Sequence, residues 1–445
     1  MTASARGEDR AASAWLERLT LGLLAFYLAL SAYVLWRAAV LAPYSDEIDW
    51  IQHWRDLKAN GDWTGYLLAP VNLHRLPWMF GLIALDIDNL GGTNIPLIVS
   101  GAFSVAAMAW MLAREAAWAA PPPLAAPAAA VAAMLALMAG IVLDAATPIC
   151  VNYTHGAVCA VAAIVLAEGG VEDGLSWRRA AALLAAIIAA LGDAAALAVW
   201  PVLAFGGLRR RDWTWLSAVL LLGAVFIGLY ASGQGAQTAS STHSARQHPL
   251  TALHLSLNYL ALPWVRLSLG WAWLGGLAIA AVGLAAVAFR GGPRASNAER
   301  IACGLILFTF GTAAMAGLGR SGQPDPLNVP LRYSVLLTPL HVGGLMLALP
   351  YAGQLWRKNR SFAQGVIAAA LVLLAAQNTV MAVKVIEAGD MVRGAVAAFR
   401  DGRRSSEMTT LVYPDLARAT RVYDRLDRDD LFQHELHLKP QARPR

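Results

Sequence analysis

The chain alternates long apolar runs with short polar intervals, and that alternation predicts its architecture. Residues 19–41, 95–113 and 124–143 are each long enough to cross roughly 30 Å of hydrocarbon at about 1.5 Å per residue. The same reading along the chain gives spans at 19–41, 94–113, 125–143, 156–167, 180–191, 194–208, 215–230, 267–289, 301–318, 333–349 and 366–386, about eleven in all. The expected fold class is all-α: a polytopic membrane protein whose transmembrane domain occupies residues 1–388. Two apolar stretches are too short to span. Residues 78–85 (WMFGLIAL) predict an interfacial or re-entrant helix in the first outer loop. Residues 250–262 place Thr251, His254 and Asn258 on one helical face among leucines, which suits a helix lying in the interface.

Lys and Arg set the direction of threading. Arg6, Arg10 and Arg18 precede the first span, and Arg209, Arg210 and Arg211 close a hairpin whose tip is Gly192-Asp193. With Arg290, Arg294, Arg300, Arg357, Lys358 and Arg360, one set of loops carries roughly twice the Lys and Arg of the other, a positive-inside bias. The amino terminus is thus expected in the cytoplasm, and the loop 43–77 and the polar tail 389–445 outside.

Composition agrees: 58% of residues are hydrophobic and 14% charged, against roughly a quarter charged in soluble domains. The net charge of +6 follows from arginine on cytoplasmic loops, so no nucleic-acid partner is expected. Cys150, Cys159 and Cys303 lie in or beside apolar runs without a CxxC pair, and buried small hydrophobes fit them better than a disulfide or zinc site. The first apolar run leads into a charged loop and is read as a retained span. The tail has helix-like stretches near 392–400 and 415–425, is too small for a core of its own, and is expected to pack on the outer loops.

The candidate chemistry gathers on the outer side. The interval 43–77 concentrates Asp46, Glu47, Asp49, His53, Asp62, His74 and Arg75 with Trp54 and Trp63. A helix beginning near Asp46 puts Asp46, Asp49 and His53 on one face, where a carboxylate can take a proton from a hydroxyl or help hold a divalent metal through Asp46, Glu47 and His53. Helix capping by Ser45 and the acids after it explains the same residues without catalysis. His74-Arg75, where the chain re-enters the apolar phase, offers an imidazole and a guanidinium fork to a phosphate, and lipid-headgroup contact is the plainer role. Arg320 and Arg332-Tyr333 flank the last outer loop, which includes a formal GxGxxG at 317–322 that no strand precedes and that is no dinucleotide site. Asn152 and His155, with Tyr153, lie in another outer interval and are weaker candidates for substrate contact.

Three of these features carry a resemblance. Asp46-Glu47 opens the first outer loop, His74-Arg75-Leu76-Pro77 leads into a short helix ending near Gly91-Gly92, and Arg332-Tyr333 starts a late span. In this organisation the chain resembles the GT-C superfamily of polyprenyl-phosphate-dependent glycosyltransferases, and is similar in particular to bacterial aminoarabinose and protein mannosyl transferases. The resemblance implies a catalytic or metal-supporting acid at Asp46, and a donor-phosphate contact at Arg75 with His74 beside it. It implies a polyprenyl-phosphate sugar as donor, a glycolipid, polysaccharide or protein acceptor, and a site on the periplasmic face of a bacterial inner membrane. The chain departs from the family in its Asn-Leu-His-Arg run and in lacking a large outer carboxyl-terminal domain. The competing class is a transporter or flippase for lipid or polysaccharide precursors, which favours midplane charges and internal repeats; no clear repeat is present.

Overall fold

In a computed structural model, residues 3–71, 74–169, 176–232, 243–262, 271–292, 294–322 and 331–428 are described. Asn72, Leu73, the loop 233–242, the run 323–330 and the tail beyond 428 lie outside them. The helices, in chain order, are α1 (Ala3–Ala38), α2 (Glu47–Asn60), α3 (Trp63–Leu67), α4 (Pro77–Leu90), α5 (Ile95–Ala119), α6 (Ala125–Ala136), α7 (Ala139–Ala146), α8 (Val151–Glu168), α9 (Trp177–Ala190) and α10 (Val199–Arg210). They continue as α11 (Trp213–Ser232), α12 (Pro249–Ala261), α13 (Ala272–Arg290), α14 (Asn297–Arg320), α15 (Thr338–Lys358), α16 (Arg360–Arg400), α17 (Met408–Leu411) and α18 (Leu416–Arg428). The one ladder among the described residues pairs β1 (Pro70–Val71) antiparallel with β2 (His74–Arg75).

Among the described residues, 8 helices are long and apolar enough to cross a membrane, or 9 if the pair α6–α7, bent by 49°, counts as one. The remaining two of the eleven expected segments, α9 and α10, have 14 and 12 residues. At about 1.5 Å per residue each falls short of the hydrocarbon thickness. The bundle turns large apolar side chains outward: Phe103 is 74% exposed, Val282 71% and Phe289 86%. Such a continuous apolar exterior suits a lipid surround and not water. Exposed Trp36, Trp78, Trp118, Trp177, Trp213 and Trp271 stand near helix ends, where indoles anchor spans.

The break between α6 and α7 shows how irregular backbone is accommodated. Ser31 Oγ of α1 donates to the Leu137 carbonyl at 3.1 Å, and the Ala139 amide donates to Asn378 Oδ1 of α16 at 2.6 Å. Two backbone groups released by the bend are thus taken up by neighbouring helices. α1 and α16 also pack closely: a Cβ on Gly389 would stand 2.6 Å from the Ala38 Cα, so only glycine fits. Beyond that contact Arg393 donates to the Arg37 and Ala39 carbonyls, covering the end of α1, and Arg37 pairs with Asp390 at 2.9 Å.

α16 continues unbroken past residue 389, so the start of the tail is the last part of a 41-residue helix. Val396 and Phe399 of α16, with Met408, Val412, Tyr413, Val422, Tyr423 and Leu426, share one apolar core with Ile48, Ile51, Trp54, Tyr66 and Phe80 of the first loop. The opposite end of the bundle is clasped by charge. Glu168 accepts from Arg209 at 2.9 Å and Arg210 at 2.8 Å, and Arg179 pairs with Asp212 at 2.5 Å.

One orientation differs from expectation. Within the polar stripe of α12, Thr251 and His254 are half-buried and Asn258 is 3% exposed, whereas Leu250 is 79% and Leu253 55% exposed. Leu250 and Leu253 form the outer face because the exterior is apolar, and Asn258 turns toward the bundle.

Asn94 ties the loop to the bundle. Its Nδ2 lies 3.2 Å from the Val40 carbonyl, 2.9 Å from the Ala42 carbonyl and 3.2 Å from Glu47 Oε2, all buried. Asn94→Ala takes this donor from the Val40 and Ala42 carbonyls and one of two donors from Glu47 Oε2, and a loss of about 1–3 kcal/mol is expected. The check is thermal unfolding in detergent; a midpoint equal to the parent's removes the bracing role.

Candidate functional site

The site begins where α1 ends and the chain turns into α2. Ser45 takes a left-handed conformation (φ 56°) held by its amide donating to the Val412 carbonyl at 2.5 Å. Asp46 then occupies the N-cap position of α2, yet its side chain makes no capping hydrogen bond. The residue stays exposed while the surrounding wall of the loop raises its carboxyl above the ordinary aspartate range. Burial is the larger cause; Arg332 acts against it and the negative charge of Asp49 adds to it.

Glu47, expected beside Asp46 as a catalytic acid, points the other way. It is 2% exposed, accepts from the Tyr44 amide at 3.3 Å and from Asn94 Nδ2 at 3.2 Å. Burial and then the nearby Asp86 push it well above the usual carboxylate range. Asp86 in turn accepts from the Thr93 and Asn94 amides at 3.2 and 2.8 Å. Successive helical positions differ by about 100°, so two adjacent acids serve two environments.

The other first-loop candidates are engaged elsewhere. Asp49 pairs with Arg418 at 2.7 Å and accepts from the Tyr413 hydroxyl, which burial and then Asp49 push up to about 12. His53 lies against Tyr66, with ring centroids 5.9 Å apart and planes tilted by 40°. Asp46, Glu47 and His53 therefore do not converge on a common point, and no three His, Cys, Asp or Glu among the described residues come together as a metal site would require. Arg75 Nη1 donates to the Leu68 carbonyl at 2.5 Å, closing the short ladder, and its amide meets the Tyr230 hydroxyl at 3.4 Å. His155 joins α8 to α5 through Ser100 Oγ at 2.6 Å.

A second group does converge. Arg332 stands within electrostatic reach of both Asp46 and Asp144, and its guanidinium lies 5.9 Å from the Tyr333 ring centre. Arg320 reaches the Tyr333 hydroxyl at 3.5 Å, and the buried Nε atoms of Arg320 and Arg332 have no hydrogen-bond partner among the described residues. Tyr333 meets Tyr153 edge-on at 5.2 Å, and Tyr153 meets His74 edge-on at 6.2 Å. His74 Nδ1 lies 3.0 Å from Asp193 Oδ1. Asn152 is buried with an unpartnered Oδ1 on the same helix as Tyr153. The result is a path of polar groups running from Asp46 through Arg332, Tyr333, Tyr153 and His74 to Asp193.

Asp144 and Asp193 were not singled out from the sequence; Asp144 follows the span expected at 125–143 and Asp193 is at a hairpin tip. The available signal was an acid set in an otherwise apolar segment, GIVLDAA for Asp144 and AALGDAAAL for Asp193. Asp193 is fully buried because its elbow presses on α8: a Cβ on Gly192 would stand 3.1 Å from the Gly156 amide and 3.4 Å from the Asn152 carbonyl. Chemically, the arrangement offers an accessible carboxylate able to accept a proton and guanidinium groups able to hold an anion. Compared with protein-family models, curated proteins and solved structures, this chain matches none.

The two adjacent acids should separate by stability. Asp46→Asn removes no capping bond and is expected to unfold within about 0.5 kcal/mol of the parent. Glu47→Ala strands the Tyr44 amide and removes one of the three acceptors of Asn94 Nδ2, with an expected loss of about 1–3 kcal/mol. Thermal unfolding of both variants in one detergent decides; equal losses would mean Asp46 is also structural.

Proposed function

We propose that this chain is an integral-membrane glycosyltransferase of the GT-C type, moving a sugar from a polyprenyl-phosphate donor to an extracytoplasmic glycolipid, polysaccharide or protein acceptor. The observation that carries the reading is Asp46, an exposed carboxylate free of any capping bond, within electrostatic reach of Arg332. In the reaction, the acceptor oxygen bonds to the anomeric carbon as the bond from that carbon to the phosphate oxygen breaks. Asp46 takes the hydroxyl proton, and the electron pair of the broken bond stays on the lipid phosphate. Arg332 and Arg320 stabilise the negative charge that grows there, as preorganised donors do in a site shielded from water. Arg75, bound to the Leu68 carbonyl, contributes to the rim through its charge.

The orientation is part of the proposal. Arg179, Arg209, Arg210 and Arg300 gather at the end of the bundle opposite Asp46, so a cytoplasmic arginine end puts the site on the periplasmic face of a bacterial inner membrane. Cysteines replacing Asn60 and Arg211 sample the two ends. An impermeant thiol reagent added to intact cells should label the first and spare the second; the reverse pattern sinks a periplasmic site.

A specific observation favours a second reading, a transporter or flippase for lipid or polysaccharide precursors. The bent α6–α7 pair carries Asp144 and the short α9–α10 elbow carries Asp193, and discontinuous helices bearing acids are also how carriers bind substrate. The two readings part at Asp46. Asp46→Asn is expected to cost about a hundredfold or more in donor consumption, measured as release of lipid phosphate from polyprenyl-phosphate sugars. Arg332→Ala should lose roughly ten- to a hundredfold. Because the Asp46 carboxyl is held above the ordinary aspartate range, the parent's acid limb should begin at higher pH than an unperturbed aspartate, near 3.9, would give. Full turnover by Asp46→Asn would move the balance to transport.

A further inference from the structure

We propose that Arg210, with Arg209 and Arg300 beside it, forms a phosphate-binding site at the arginine end of the bundle. The ligand is the phosphate of an anionic lipid headgroup or a free phosphate, and the site is independent of glycosyl transfer at the mouth. Three guanidinium groups there share one carboxylate oxygen. Glu168 Oε2 lies 2.9 Å from Arg209 Nη2, 2.8 Å from Arg210 Nη1 and 3.7 Å from Arg300 Nε.

The other acceptors around them are neutral. Arg209 and Arg210 donate to the Gly291 and Ala167 carbonyls at 3.2 and 3.3 Å, and Arg300 donates to the Ala295 carbonyl and to Asn297. The neighbouring acids are committed to other arginines: Asp212 pairs with Arg179 at 2.5 Å, and Glu299 with Arg290 at 3.1 Å. Among the described residues one negative charge therefore answers three positive ones, in a cluster where Glu168 and the Arg209 side chain are buried. Unbalanced charge in such surroundings is costly, and a bound anion relieves it. Burial pulls the Arg210 guanidinium below the ordinary arginine range; Glu168 opposes this, and the charges of Arg179, Arg300 and Arg209 add to it.

Arg210 also keeps one edge unused. Its Nη1 serves Ala167 and Glu168, whereas Nε and Nη2 have no hydrogen-bond partner. These two nitrogens stand side by side on the planar guanidinium, the edge that meets two oxygens of a phosphate at once. That edge lies over Gly206, where an added Cβ would stand 3.6 Å from Nη2. The Arg210 side chain is 17% exposed, and rotation of its outer torsions brings the edge to the surface. A phosphate there supplies both the missing charge and the missing acceptors.

The adjoining surface suits a lipid. Phe205 and Leu208, on the turns of α10 just before Arg209 and Arg210, are exposed, as is Trp213 at the start of α11. The Arg209 guanidinium lies 5.7 Å from the Phe205 ring centre. A headgroup on Arg210 would lay its chains along this apolar face, as anionic lipids do at basic pockets between helices.

The test uses the full chain in a neutral detergent, stripped of lipid, with the heat of binding as readout. Separate arms titrate a short-chain phosphatidylglycerol, the matching phosphatidylcholine and inorganic phosphate. Saturable binding of phosphatidylglycerol but not of inorganic phosphate would identify a lipid headgroup; the reverse would identify free phosphate. Arg210→Lys keeps the charge but not the two-donor edge, and should bind the same ligand roughly tenfold more weakly. Arg300→Gln removes the guanidinium farthest from Glu168, leaves the two closer pairs in place, and should also weaken binding severalfold. Arg357→Gln, at the end of α15, should match the parent. Absence of saturable binding by both phosphatidylglycerol and inorganic phosphate overturns the proposal. So does equal affinity in the parent, Arg210→Lys and Arg300→Gln, or phosphatidylcholine binding as tightly as phosphatidylglycerol, which would make this a groove for lipid chains alone.

Discussion

A backbone amide or carbonyl without a partner in hydrocarbon costs several kcal/mol, so a chain in that environment can leave regular helix only where other groups take up what it releases. The places where this protein breaks its helices follow that constraint. At the α6–α7 bend the partners are Ser31 and Asn378. At the α9–α10 elbow Asp193 accepts from Ala195, and Tyr230 donates to the Ala190 carbonyl at 2.6 Å. Both breaks bring an acid, Asp144 or Asp193, to the end of the bundle that carries the first loop. Irregular backbone and concentrated polarity coincide because each makes the other tolerable.

The cap over that end is built differently. Its core is made jointly by the first loop and the tail, two segments that are too small to fold on their own. Side-chain bonds fix the loop at several points: Asn94 on Glu47, Arg418 on Asp49, Arg75 on the Leu68 carbonyl, and Lys58 on Asp88 at 2.7 Å. Asp46 is the first-loop acid left over when these contacts are made. Its neighbours are braced while its own carboxylate makes no capping bond.

Electrostatics divides the molecule the same way. At the arginine end, guanidinium groups are matched by Glu168 and Asp212 in tight pairs, an arrangement that clasps helices together. At the mouth, Arg320 and Arg332 stand beside Tyr333, with no carboxylate at salt-bridge distance among the described residues. Similar residues thus serve stability at one end and present charge at the other.

By itself the sequence determined the helical class, the polytopic character and the approximate places of most helices, because burial in hydrocarbon imposes long apolar runs that are visible locally. It also singled out the loop 43–77 and the arginines near 320 and 332, since charge in so apolar a chain stands out. Only the tertiary structure decided which of two adjacent acids is free: Glu47 turns inward because Asn94, far along the chain, meets it there. The same holds for α12, whose polar stripe reads equally well facing water or protein until its neighbours are known. Asp193 was legible as an acid in an apolar hairpin, but its pairing with His74 joins positions more than a hundred residues apart. Periodicity records what a residue's own helix requires, whereas side-chain partners come from whichever distant segment packing brings alongside.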